Sequence, residues 1–360
     1  MILINLASKF EIQQFMQSVK LTFLLLLPGI FLMPITSQAL EDQSFDVLNY
    51  HIALSPEIAN KKIQGYTKVT FQANRNDLEK LNLMLQDFTI DSVTQNNANA
   101  SLTNYNDTVM TIQLGRKLNQ GDKDSLKIYY EGKPPKDPSS WGGFYFNNDF
   151  AFNLGVGFFA KPHNFGRAWF PCKDNFKERA TYSFAITTDP DKKAFCNGHL
   201  ADSVYKNGSI TWHYKMEQSI PSYLASMVVG DYSTVKLEHS TGMGTIPIVY
   251  GVQGSDTSTM KQSFRNIQDG IDAFVEHYGP HQFGKVGFIE VPFTNGAMEH
   301  ATNIAYPTDA VDGTLNQETL WAHELSHHWW GNLVTCSSAE EMWINEGWAS
   351  YSENLFLEYT

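Results

Sequence analysis

Cysteine, positive charge and uninterrupted apolar sequence are all scarce in this chain. Only three cysteines occur in 360 residues: Cys172, Cys196 and Cys336. None stands in a CxxC pair, so nothing points to a cysteine metal site. Cys172 and Cys196 are the only pair within one expected domain, and export would permit their bridging; three buried free thiols is the preferred expectation. Lys and Arg number 26 against 38 Asp and Glu, a formal net charge of −12. That balance argues against nucleic acid or an anionic membrane as partner. The N-terminal apolar run Leu21–Ile35 is shorter than the roughly 20 residues a membrane span needs, and Pro28, Gly29 and Pro34 break it. With Lys20 before it and Ser37-Gln38-Ala39 after it, residues 1–39 read as a secretory signal peptide, with Met16 as an alternative start. No cysteine follows the run, so no lipid anchor is expected. The expected location is secreted or periplasmic, with no stable membrane insertion after cleavage.

What the chain does have is aromatic residues, with 8 Trp, 16 Tyr and 24 Phe, which favour a β-rich portion. Its 42% hydrophobic and 18% charged content is that of a globular protein, and its length predicts two domains. Residues 40–235 carry the β texture. Tyr66–Phe71, Val109–Leu114, Ser125–Tyr130 and Thr181–Thr187 alternate polar and apolar, as half-buried strands do. Asn96-Asn97, Gly121-Asp122 and Pro134-Pro135 punctuate them, and Asn207-Gly208 reads as a hairpin turn. This predicts an all-β domain of saddle or sandwich type.

From residue 236 to 360 the texture changes. Ser258–Tyr278 carries a helical apolar stripe that Gly279-Pro280 should stop. Val286–Val291 and Asn303–Tyr306 read as short strands. Thr314 with Gln317, and Ser338 with Glu341, have the spacing of capping boxes, and Gly331 offers a helix stop between them.

Between those signals lies His323-Glu324-Leu325-Ser326-His327, an HExxH pattern. On a helix the two histidines leave one face a turn apart, where one Zn²⁺ can take both nitrogens at about 2.0–2.1 Å. Glu324 can then reach a water at the metal as general base. A catalytic zinc site also needs a third protein ligand and an open position.

Eighteen residues separate His327 from Glu346, which stands in Trp343-Ile344-Asn345-Glu346-Gly347-Trp348-Ala349. Upstream stands Asn295-Gly296-Ala297-Met298-Glu299-His300. Earlier still come Arg167-Ala168-Trp169-Phe170-Pro171-Cys172-Lys173-Asp174 and Pro221-Ser222-Tyr223-Leu224-Ala225. In this order the segments resemble the gluzincin aminopeptidases of the M1 family, which include aminopeptidase N and leukotriene A4 hydrolase. Gly296–His300 resembles that family's GAMEN motif, with His300 where Asn is usual.

The resemblance implies a multidomain chain, an N-terminal all-β domain followed by an α/β catalytic domain of thermolysin type. It implies one zinc per chain on His323, His327 and Glu346. Glu324 would be the general base and Glu299 the group that binds the substrate's free α-amine. Gly296, Ala297 and Met298 would line the peptide backbone path. A Gln or Glu before the Arg167 segment would help hold the amine, but Phe159–His163 supplies none. Glu353, two turns beyond Glu346, is either an outer partner of a ligand histidine or a solvated carboxylate, and His328 is expected to be structural. The family continues beyond the second zinc helix and supplies a Tyr for the oxyanion there, so the catalytic domain is expected to be incomplete at Thr360. The expected function is a zinc aminopeptidase acting on peptides with a free N-terminus. The rivals are leukotriene A4 hydrolase-like epoxide hydrolysis and a non-catalytic binding module or inactive fragment.

Overall fold

The computed structural model describes residues 42–96 and 98–360. Residues 1–39, expected to be a signal peptide, lie outside the described residues, as does half of the Asn96-Asn97 turn. No helix among the described residues is long and apolar enough to cross a membrane.

The first half is β throughout. A seven-stranded sheet runs in the order β12-β13-β10-β1-β2-β7-β4, with β4 at Thr89–Gln95 and β7 at Lys123–Gly132. Its centre is β1 (Phe45–Glu57), antiparallel to β2 (Lys62–Ala73) and parallel to β10 (Ala180–Thr188). In β10, buried and half-buried residues alternate along the whole strand, as one core-facing side requires. At the edge, β12 (His199–Lys206) and β13 (Ser209–Ile220) pair from Lys206 with Ser209. The two residues between them, Asn207 at φ 52° and Gly208 at φ 82°, both take the left-handed conformation that a two-residue hairpin demands. A three-stranded sheet of β3 (Leu78–Met84), β6 (Val109–Leu118) and β5 (Ser101–Tyr105) joins it. So does a four-stranded sheet of β11 (Lys193–Cys196), β14 (Met227–Gly230), β9 (Phe150–Leu154) and β8 (Gly143–Asn147). All three share one apolar core around Trp169, Phe170, Tyr50 and Tyr182. The Arg167–Asp174 segment is buried scaffold. Arg167 Nη1 donates to Asp174 Oδ2 at 2.8 Å, and Asp174 Oδ1 accepts the Ser222 hydroxyl at 2.6 Å.

The second part is built on a sheet ordered β15 (Tyr232–Thr241), β16 (Gly244–Gln253), β17 (Val286–Val291) and β18 (Ile304–Pro307). β15 straddles the boundary expected at residue 235, because it pairs with β16 from Tyr232 onward. β16, β17 and β18 are mutually parallel. Every residue of β17 is buried, as a central parallel strand requires. The stripe expected over 258–278 is two helices, α1 (Ser258–Ser263) and α2 (Ile267–Tyr278). Gly279 ends α2 at φ 90°. The remaining helices are α3 (Glu318–Ser326) and α4 (Trp343–Tyr359). Ile271, Phe274, Trp321 and Phe356 from α2, α3 and α4 pack with Ile248 and Phe288 of the sheet into a second core.

Neither capping box forms. Thr314 Oγ1 accepts the Asn316 N–H at 3.1 Å rather than that of Gln317. The Glu341 N–H, which a box would give to the Ser338 hydroxyl, goes to the Ser338 carbonyl at 3.1 Å. That bond closes a 3-10 turn, Ala339–Glu341, ahead of α4. Nor does Gly331 end α3. The helix ends at Ser326, where bonds tighten to His328 N→Leu325 O and Trp329 N→Ser326 O. All three cysteines are free and buried.

Candidate active site

His327 is thus the C-cap of α3, yet its N–H still donates to the His323 carbonyl at 3.3 Å. The four-residue spacing therefore keeps both imidazoles on one face. α4 brings Glu346 against them from its first turn. Glu346 Oε2 is 3.2 Å from His323 Nε2 and 3.7 Å from His327 Nε2. Ligand atoms of tetrahedral zinc, bonded at about 2.0–2.1 Å, stand about 3.3–3.4 Å apart. One ligand atom from each of the three residues lies within 4.8 Å of the others.

The tautomers also fit a cation. His327 Nδ1 lies 2.8 Å from the Trp330 carbonyl, which can only accept, so the ring proton sits on Nδ1. Burial pushes His327 down to about 4 and keeps it neutral. Its Nε2 lone pair then faces a Glu346 oxygen with no hydrogen between them, an arrangement that a metal resolves. His323 Nδ1 lies 2.9 Å from Glu353 Oε1. Burial pushes His323 down, but Glu346, Glu324 and Glu353 outweigh it and hold the imidazole up at about 9.

Glu324 is buried, and its Oε2 has no hydrogen-bond partner among the described residues. Burial raises it to about 8; His323 opposes that shift, and Glu346 and Glu353 add to it. Glu299 is also buried, and its carboxyl is held well above the ordinary range, first by burial and then by Glu346 and Glu324. Glu299 comes from the β17–β18 connection and feels the charges of Glu346 and Glu324. Four carboxyl groups, those of Glu346, Glu353, Glu324 and Glu299, thus interact with the two imidazoles or with one another, and the excess of acid favours cationic guests.

Met298 does not stand with its two predecessors. Its N–H and C=O both pair with Ala305, at 3.0 and 3.1 Å, and its side chain is buried in the first core. Gly296 and Ala297 make no backbone hydrogen bond among the described residues. Gly296 has φ 106°, and a Cβ there would meet Trp141 at 3.1 Å. His300 points elsewhere, its Nε2 accepting from Asn153 Nδ2 at 3.2 Å. His328 is structural as expected, with Nε2 accepting the Thr302 N–H and Nδ1 donating to His281.

Two neighbours escaped the sequence reading. Asn345 is fully buried, and its Oδ1 accepts the Cys336 N–H at 3.2 Å. Asn332 is fully buried and donates through Nδ2 to the Glu299 carbonyl at 3.0 Å. Asn345 was open to inspection as the residue before Glu346; Asn332 carries no local signal.

Residues 47–224 match the model of the peptidase M1 N-terminal domain, and residues 263–360 match the peptidase family M1 domain. The chain belongs to peptidase family M1. Among its M1 relatives, leucine aminopeptidase 2 of Chaetomium globosum is 30% identical over 211 residues, which cover 53% of this chain and 31% of that protein. Leukotriene A-4 hydrolase of Xenopus laevis is 24% identical over 86% of this chain and 51% of that protein. The chain therefore spans less than two thirds of the length of either. In fold it resembles a mutant M1 zinc metallopeptidase of Deinococcus radiodurans bound to a Tyr-Ser-Ala substrate, with TM-score 0.77 and 23% identity. That match covers 88% of this chain and 71% of the other.

Proposed function

We propose that this M1 chain is the zinc-binding part of an aminopeptidase that removes residues from peptides with a free N-terminus. The observation that carries the reading is the lone pair of His327 Nε2 facing Glu346 Oε2 at 3.7 Å beside His323. His323, His327 and Glu346 would hold one zinc per chain. Bound there, zinc supplies a Lewis acid and lowers the pKa of a bound water toward about 7. With zinc beside it Glu324 would be ionised and would serve as general base, holding the proton at its unpartnered Oε2 and passing it to the departing amine. Glu299, buried beside the ligand residues, would bind the substrate's ammonium group by a charge-assisted hydrogen bond. The substrate strand lies along Gly296 and Ala297, whose backbone groups are free to pair with it, while Met298 serves as their buried anchor. The signal pattern in residues 1–39 supports an extracytoplasmic location.

The test takes the full reading frame. Elemental analysis should give one zinc per chain, and removal by chelation should abolish hydrolysis of a dipeptide until zinc is restored. The same dipeptide with its amine acetylated should resist cleavage. Equal cleavage of free and acetylated peptides would overturn the aminopeptidase reading.

A further inference from the structure

We propose that Arg179, which immediately precedes β10 in the first β part, is a positioning residue for the site formed by the second. The proposal rests on the aminopeptidase reading. Arg179 makes no ion pair among the described residues. Its guanidinium instead spends its donors on three neutral oxygens. Nη1 donates to Thr335 Oγ1 at 2.7 Å, while Nη2 donates to the carbonyls of Asn332 at 2.7 Å and Ser219 at 2.8 Å. Burial lowers the guanidinium's pKa, so the charge is held at a cost that directional bonds must offset. A rigid planar fork suits that task better than a flexible ammonium.

Two of those acceptors lie in one short segment, residues 331–336, and that segment touches three parts of the site. The Asn332 N–H donates to the His327 carbonyl at 2.9 Å. The Asn332 side chain holds the Glu299 carbonyl at 3.0 Å. The Cys336 N–H donates at 3.2 Å to Asn345, whose neighbour is Glu346. Thr335 completes the brace by donating to the Gly331 carbonyl at 2.6 Å. Gly331 itself sits at φ 129°, a backbone conformation that glycine adopts freely and other residues rarely do. Arg179 ties this hub to β13 through the Ser219 carbonyl. Its loss frees Asn332, and through Asn332 the amine-binding Glu299, while the imidazole bonds to Glu353 and Trp330 remain.

The expected signature is therefore a loss of amine recognition with zinc retained. Arg179→Met keeps much of the stem volume and removes every donor. We expect it to bind one zinc per chain, with kcat/KM on a free dipeptide about 10–10²-fold lower, since small misplacements of positioning groups cost that much. The distinguishing readout is a pair of probes, an amino-acid hydroxamate and its des-amino counterpart. The ratio of their affinities measures what the amine contributes. It should shrink at least fivefold in Arg179→Met, and Arg179→Lys should recover part of it. Thr335→Val, which removes one acceptor, should move the ratio in the same direction and serves where Arg179→Met does not fold. A residue that only stabilised the fold would lower Tm and leave the ratio alone. An unchanged ratio in whichever of these variants folds, with the wild type active, overturns the proposal. A wild type that shows no preference for the free amine overturns the aminopeptidase reading instead.

Discussion

Glu353 Oε1 lies 2.9 Å from Nδ1 of His323, and both Glu353 and Glu346 are carried by α4. Glu353 comes seven positions after Glu346, two helical turns on, so one helix face presents a carboxylate to each nitrogen of the same imidazole. The outer carboxylate fixes the ring and raises its basicity. Glu353→Ala should therefore weaken zinc binding about 10–100-fold, the usual effect of removing such a partner. Glu353→Gln, which can still accept the Nδ1–H, should fall between it and the wild type. Competition against a zinc chelator measures both. Unchanged affinity in the alanine variant would make Glu353 a bystander.

Glu324 should separate binding from chemistry. Its Oε2 is buried without a partner among the described residues and so is open to accept a proton. Glu324→Gln preserves the shape but cannot accept a proton. It should keep one zinc per chain and lose about 10²–10⁴-fold in kcat, the usual worth of a positioned general base. Near-wild-type kcat would remove Glu324 from the mechanism.

A second acid gives a pH signature away from the metal residues. Glu290 on β17 is pushed up to about 7 by burial, against the Gln253 N–H that donates to its Oε2 at 2.8 Å. The folded protein thus keeps a proton that the unfolded chain, with an ordinary carboxyl near 4.5, gives up. Glu290's contribution to stability is full below about 4.5 and is lost as pH rises through about 7. Glu290→Gln should remove that slope. Plotted against pH, the Tm difference, variant minus wild type, should climb between pH 4.5 and 7 and then level off. A flat difference would show that Glu290 titrates normally.

Much of this architecture was legible because local and global signals agreed. The alternation in Thr181–Thr187 appears as β10, and Asn207-Gly208 makes its hairpin. His323, His327 and Glu346 meet because an i, i+4 pair on one helix and a glutamate on the next need only a short connection to converge. The helix ends were misread for a physical reason. A Ser or Thr three residues before a Glu or Gln specifies a capping box only when the intervening backbone is helical, and here a 3-10 turn claimed the Glu341 N–H first. Gly331 was read as a stop, whereas its left-handed φ opens the 331–336 hub. That hub could not be foreseen, since Arg179 lies more than 150 residues before Asn332 and Thr335 in sequence. Met298 was grouped with Gly296 and Ala297 by motif, but its pairing with Ala305 is a tertiary fact.

His300 stands where the family usually has Asn, yet its side chain faces away from the metal cluster. Its Nε2 accepts from Asn153 on β9, and burial holds the ring neutral, down to about 3. Its Nδ1 finds no partner among the described residues. Glu299 does not depend on it, because Asn332 holds the Glu299 carbonyl. Asn153 keeps its bonds to the Ala225 carbonyl and the Met227 N–H whether or not His300 is there. His300→Asn replaces the ring by a shorter amide and removes a buried, unsatisfied N–H, whose burial costs about 1–3 kcal/mol. The smaller side chain leaves space, which costs stability in the opposite direction. The two effects should nearly cancel, leaving Tm within a few degrees of the wild type. kcat/KM for free-amine substrates should stay within about threefold, because neither the ligands nor Glu299 move. Steady-state kinetics on a small panel of dipeptides checks this. A loss of more than tenfold, confined to substrates with a free amine, would show that His300 does set the position of Glu299 and that the Asn332 bond alone does not hold it.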